Sequence, residues 1–259
     1  MIEQVAAPLR SACLSILEVG GAFAHRFKSL IEFLGLTALI VTDLDSVTPV
    51  AGNDEVEDDE EAVEFEVPDD DAEQPAAKKR GTSCLPSEPG AITSNQTLIQ
   101  WIPKKQTIEG LFAATPAEKL HAEAGDNGFK VRVTYQTPTN VAWNNLTESL
   151  CGRTLEVTFG LENAGWVQHA DRKHIGLKVR GNPATPSALA AAIHKRVGVK
   201  SFDKTRFALG VLTEPPTNWQ VPRYIKEGLE WLSETVKLEL PAMLPLVEAP
   251  EAEPAEDAQ

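Results

Sequence analysis

Cys13-Leu14-Ser15-Ile16-Leu17-Glu18-Val19-Gly20-Gly21 and, one helix later, Ala38-Leu39-Ile40-Val41-Thr42-Asp43-Leu44-Asp45-Ser46 are the stretches on which the fold turns. Each opens with a short aliphatic run of buried-strand type and ends in acidic residues. Between them Phe23, Phe27, Leu30, Ile31 and Leu34 recur along one face of an amphipathic helix, and Gly35 stands where a left-handed C-cap is expected. Strand, glycine turn, helix, strand predicts a βαβ unit with parallel strands and a right-handed crossover. In that geometry Glu18 and the pair Asp43 and Asp45 lie at the carboxyl ends of parallel strands, where open α/β sheets bind ligands. Side chains two apart on extended chain point the same way, so Asp43 and Asp45 are expected to face one site. Three carboxylates without basic partners repel one another, and a hard divalent cation such as Mg²⁺ relieves that repulsion.

Outward from this unit, residues 51–89 read as a disordered insertion. Asn53 to Glu73 carries 13 acidic residues and no Lys or Arg, and Pro- and Gly-rich chain follows. Order is expected to resume near Ala91. Lys130 to Gln136 alternates as a strand with Val131, Val133 and Tyr135 on one face. A helix is predicted over 153–161. Another starts at Thr185-Pro186 and carries Leu189, Ile193 and Val197. Asp203 caps a short helix beginning at Lys204. Pro222 opens a last helix whose apolar face is Ile225, Leu229, Leu232 and Val236. Residues 241–259 read as a disordered acidic tail. The expected organisation is a first half of an α/β core over 1–50, the insertion, the rest of the core with a helical elaboration over 90–240, and the tail.

The formal charge of −14 argues against a polyanionic partner until it is located. Asn53 to Glu73 and the tail from Glu248 hold 18 acidic residues between them. Without those, 20 acidic residues face 24 basic ones, a body of about +4 that is compatible with DNA. Three cysteines without a CxxC suggest neither a disulfide framework nor a zinc ribbon, and a reducing compartment is expected. No signal-peptide pattern and no membrane-length apolar run is present, so the expected location is the cytoplasm, with no membrane partner.

Glutamate after a first strand, a glycine turn, a helix and then DxD after the next strand resembles the TOPRIM pattern. The wording Glu18-Val-Gly-Gly-Ala-Phe-Ala-His-Arg-Phe27 and Thr42-Asp-Leu-Asp-Ser-Val47 is similar to the OLD (overcoming lysogenization defect) family endonucleases, in the class often encoded beside a helicase. Thr93-Ser-Asn95, Gly152-Arg-Thr-Leu-Glu156, Phe159 to Asn163, Lys204-Thr-Arg-Phe-Ala-Leu209 and the stretch from Pro222 to Leu232 support it. The resemblance implies a TOPRIM, Rossmann-like parallel sheet flanked by helices, and two-metal DNA cleavage with Mg²⁺ or Mn²⁺. It makes Glu18 a metal ligand or general base and Asp43 and Asp45 metal ligands, with Ser46 close by. Glu156 completes a second metal site, Glu162 is a weaker candidate for the same place, and Lys204 stabilises charge on the scissile phosphate. His25, Arg26, Asn95 and Arg153 are the expected DNA contacts; Asn95 has two further readings, orienting a ligand carboxylate or closing a turn. His169 and His174 show no ligand spacing.

Two departures stand out. Ala22 occupies the position where many TOPRIM proteins carry a second acidic residue. No G-x-x-x-x-G-K-[ST] occurs, so no nucleotide site is expected, and the ATPase part with which OLD nucleases pair is expected to be missing from a truncated chain. A rival reading takes Asp43-Leu-Asp45-Ser-Val47 as the opening motif of a haloacid-dehalogenase-like phosphatase with Asp43 as nucleophile. After Lys204, however, only Glu214 is available for that family's downstream acidic pair. A non-catalytic DNA-binding module is the third reading.

Overall fold

The structure, a computed structural model, describes residues 1–19, 22–49, 81–123, 128–168, 176–179 and 181–239. The Gly20-Gly21 turn, the acidic run, the tail, His169 and His174 lie outside the described residues. The helices are α1 (Ile2–Val5), α2 (Lys28–Leu34), α3 (Gln96–Gln100), α4 (Ile108–Phe112), α5 (Leu155–Glu162), α6 (Ala164–Gln168), α7 (Pro186–Val197), α8 (Lys204–Leu212) and α9 (Arg223–Glu239). The strands are β1 (Thr37–Val41), β2 (Ser46–Val47), β3 (Ile92–Thr93), β4 (Leu120–Ala122), β5 (Lys130–Thr134), β6 (Thr139–Trp143) and β7 (Leu146–Leu150).

The main sheet has the order β1-β5-β4. β1 and β5 run parallel, with Thr37 opposite Lys130 and Val41 opposite Thr134. β4 pairs antiparallel with β5. The expected parallel core is therefore a small mixed sheet among the described residues, a mixed α/β arrangement compatible with a TOPRIM-type fold. The physical reason lies in Cys13–Leu17. It is coil, not the predicted first strand, and Ile16 is 86% exposed. Among the described residues the other edge of β1 has no strand neighbour and is an open edge. Lys130 N–H donates to Leu36 and Thr42 N–H donates to Thr134, so even-numbered residues of β1 bond to β5. The backbone groups of Leu39 and Val41 accordingly face the open edge.

One face of the sheet, with Val131, Val133 and Tyr135 buried as the alternation predicts, packs on Leu98, Trp101, Ile108 and Leu111. The other face meets α9, where a Cβ on Gly228 would approach Leu39 and Thr134 to 3.0 Å. A second core lies under the β6–β7 hairpin, built from α5, α7, α8 and α9 around Phe159, Leu189, Ile193 and Phe207. The predicted caps are present: Thr185 accepts from Ala188 N–H and Asp203 from Arg206 N–H, each satisfying an orphan helix donor. α2 forms behind a short 3-10 turn over Ala24–Phe27, but Phe23, Leu30 and Leu34 of its predicted apolar face remain exposed. Residues 81–89, read as part of the insertion, include packed chain: Ser83 bridges to Val47, and Cys84 is buried with its N–H on the carbonyl of Ser46.

Candidate functional site

The site forms where β1 ends. The register that sets Val41 beside Thr134 brings Gln136, two residues on, level with Asp43. Gln136 is fully buried; its Oε1 accepts from Leu44 N–H at 2.8 Å, and its Nε2 donates to Asp43 Oδ1. Asp43 Oδ1 also accepts from Leu155 N–H at 2.9 Å, at the first turn of α5. That approach depends on Gly152, where a Cβ would fall 2.5 Å from the backbone nitrogen of Thr158. Asn95 donates to Thr42 Oγ1 and to the Asp43 carbonyl, both at 2.7 Å. Its Oδ1 caps α3 through Thr97 N–H. Asn95 is fully buried, which removes it from the expected DNA contacts and leaves it as the residue that closes the turn under Asp43.

Asp45 departs from the extended chain expected of it: its φ is +46°, in the left-handed region that Asp tolerates better than most residues. Asp43 and Asp45 nevertheless act on the same charges. Burial, then the neighbouring Asp45, push the Asp43 carboxyl up to about 7, with Glu156 adding to the rise and the Gln136 hydrogen bond and Lys204 opposing it. Asp45 is raised chiefly by burial, against Arg153 and Lys204. Glu156 is 7% exposed; its Oε1 lies 3.5 Å from Lys204 Nζ, and its buried Oε2 has no hydrogen-bond partner among the described residues. Lys204, 67% exposed at the start of α8, thus pairs with Glu156 of α5 and acts by its charge on Asp43 and Asp45.

The remaining expected residues are distributed differently. Arg153 donates from Nε to the Ser46 carbonyl at 2.8 Å and stands 4.0 Å from Asp45 Oδ1, so it braces the loop. Ser46 is buried and gives its hydroxyl to the Cys84 carbonyl. Glu162 accepts from Arg223 N–H and so caps α9. Glu18 is exposed, and the charges acting on Asp43 are those of Asp45, Glu156 and Lys204 rather than its own. His25 Nδ1 bonds to the Ala22 carbonyl, and Arg26 lies over the exposed ring of Phe23. Glu214 meets Asn218 rather than the carboxylates. Sequence reasoning missed Gln136 and, behind it, Tyr224. Their signal was a polar residue ending a buried strand, which becomes informative only once β5 is known to pair with β1.

Residues 1–45 match the family model described as Overcoming lysogenization defect protein-like, TOPRIM domain. The match supports an OLD-like TOPRIM family. It ends on Asp45 and includes Glu18 and Asp43. No curated protein and no solved structure matches the chain. A TOPRIM domain suggests metal-dependent cleavage of nucleic acid, and such domains generally bind divalent ions such as Mg²⁺.

Whether the residues fit such an ion can be asked of the cluster itself. Among the described residues no three His, Cys, Asp or Glu side chains are gathered closely enough to hold a metal as they stand. The chemistry of the donors fits all the same. The oxygens of Asp43, Asp45 and Glu156 are the hard donors a divalent cation prefers. Their mutual repulsion is what a cation would relieve, and the orphaned Glu156 Oε2 is a buried acceptor in want of a positive partner. Among the described residues no helix is long and apolar enough to cross a membrane.

Proposed function

We propose that this chain hydrolyses DNA phosphodiester bonds as an endonuclease or nickase that uses two divalent ions, Mg²⁺ or Mn²⁺, at Asp43, Asp45 and Glu156. The observation that carries the reading is Lys204, paired with a buried and half-satisfied Glu156 beside two carboxylates whose burial and repulsion raise their proton affinity. Bound there, the ions supply Lewis acidity toward the phosphate. Asp43 is held by one oxygen, with the other left for ligation. Lys204, mostly in solvent, exchanges Glu156 for a phosphate oxygen and meets the charge that develops there. Glu18 joins the site when the exposed chain of Cys13–Val19 settles on the open edge of β1. The body of about +4, with Arg26 and His25 at its surface, receives the DNA backbone. The same reading places the chain as the nuclease part of an ATP-dependent OLD-type system. Its partners are then an ATPase region and a helicase, and its role is cytoplasmic phage defence or DNA processing.

The test is supercoiled plasmid with Mg²⁺, Mn²⁺ or Ca²⁺, beside Asp43→Ala and Lys204→Ala. Nicked and linear products are expected from the parent, lost in EDTA and reduced about 100-fold or more in both variants. Absence of cleavage with every metal, together with phosphate release from a small phosphomonoester, would instead establish the phosphatase reading with Asp43 as nucleophile. Silence in both assays leaves the DNA-binding module.

A further inference from the structure

We infer that Gln136 is the positioning residue of this site, and that Tyr224 fixes it from α9. The inference rests on the proposed nuclease reading and adds to it a residue that neither the matched region nor the motifs contain. Leu44 N–H can only donate, so the Gln136 atom facing it at 2.8 Å is Oε1. That leaves Nε2 with two protons and two acceptors, Asp43 Oδ1 and the Tyr224 hydroxyl at 3.2 Å. One buried amide therefore grips the loop at two successive residues, by the backbone of Leu44 and by the carboxylate of Asp43. Asp43 Oδ1 receives a second donor from Leu155 N–H, so this oxygen is turned into the protein and its partner oxygen outward.

Tyr224 is itself immobilised. It is buried at the first turn of α9, and its carbonyl accepts the Thr134 hydroxyl from β5, the strand that leads to Gln136. No other natural side chain repeats this bonding. Leucine makes none of the three bonds, and glutamate sets a carboxylate against Asp43. Groups that orient a ligand carboxylate in this way tune the affinity of the metal it holds without touching the metal.

The test is Mn²⁺ binding to the full chain, followed by electron paramagnetic resonance, for the parent, Gln136→Leu and Tyr224→Phe, with thermal unfolding of each metal-free protein as the control for folding. Gln136→Leu is expected to weaken Mn²⁺ binding about 10–100-fold. Its DNA cleavage is expected to recover at high Mn²⁺, so that the half-saturating metal concentration moves more than the maximal rate. Tyr224→Phe is expected to weaken binding in the same direction by less. A folded Gln136→Leu that binds Mn²⁺ as the parent does overturns the positioning role alone. Should Gln136→Leu not fold, parental affinity in Tyr224→Phe overturns it. A parent that binds no Mn²⁺ overturns the nuclease reading, and this inference with it.

Discussion

Two carboxylate-bearing stretches of the matched region are held in opposite ways. The loop Thr42–Ser46 is bonded to Gln136, Asn95, Thr93, Ser94, Arg153 and Leu155, partners that lie roughly 50 to 110 residues away along the chain. Leu44, fully buried, anchors it in the sheet core. Cys13–Glu18 has a comparable aliphatic run and also ends in a carboxylate, yet Ile16 and Leu17 stand in solvent. The difference lies in neighbours rather than composition. β1 gains its ladder from β5, which leaves its loop within reach of α3 and α5. The earlier segment pairs with no strand among the described residues and stays exposed from Cys13 to Glu18. A preorganised carboxylate is thus a product of distant partners, and an apolar run next to a glutamate does not fix the glutamate by itself.

The sharpest contrast is in stability. Leu44→Ala is expected to cost about 2–5 kcal/mol, as for other fully buried leucines, whereas Ile16→Ala stays within about 0.5 kcal/mol. Denaturant titration of both variants measures the difference, and equal losses would show that Cys13–Leu17 is packed in solution. Next in size is the effect of docking on activity. Glu18→Gln is expected to slow metal-dependent cleavage about 10–100-fold. Ile16→Asp, which cannot settle on an apolar edge, follows it with no change in melting temperature. Parental rates in both variants would leave the chemistry to Asp43, Asp45, Glu156 and Lys204 alone.

The last comparison is Asp43→Asn, which removes a charge that Lys204 offsets only in part. The folded-state value of about 7 stands above the ordinary 3.8. Ionised Asp43 therefore costs the metal-free fold stability that is lost as pH rises from about 4 to 7 and stays lost above. Asparagine keeps an acceptor for Gln136 and Leu155 without the charge. The variant is expected to melt above the parent at pH 8 and level with it at pH 4, while losing cleavage. Thermal scans at the two pH values decide it, and a variant less stable than the parent at pH 8 would contradict the assigned burial cost.

Much of the fold could be read because its signals are local. The caps at Thr185 and Asp203 and the alternation of Val131, Val133 and Tyr135 depend on residues within a few positions of one another. So does the apolar face of α9. Asp43 and Asp45 could be picked out for the same reason, since an acidic pair directly after an aliphatic strand is visible without knowing what lies opposite. The three readings of Asn95 could not be separated in sequence, because nothing nearby shows that its amide is buried under Asp43. Gln136 was passed over because its meaning depends on β5 lying parallel to β1.

By itself, then, the sequence determined where helices such as α7 and α8 start, which face of β5 is apolar, and that acidic residues follow an aliphatic strand, since capping, periodicity and turn chemistry act over a few residues. Only the tertiary structure decided which of those carboxylates share a site. It set Lys204 against Glu156, turned Asp43 by Gln136 and Leu155, and drew Arg153 and Glu162 into bracing the loop and capping α9. Those choices depend on sheet register and on helices that arrive from far along the chain, and hydrogen bonds and charges act over distances in space that spacing in the sequence does not encode.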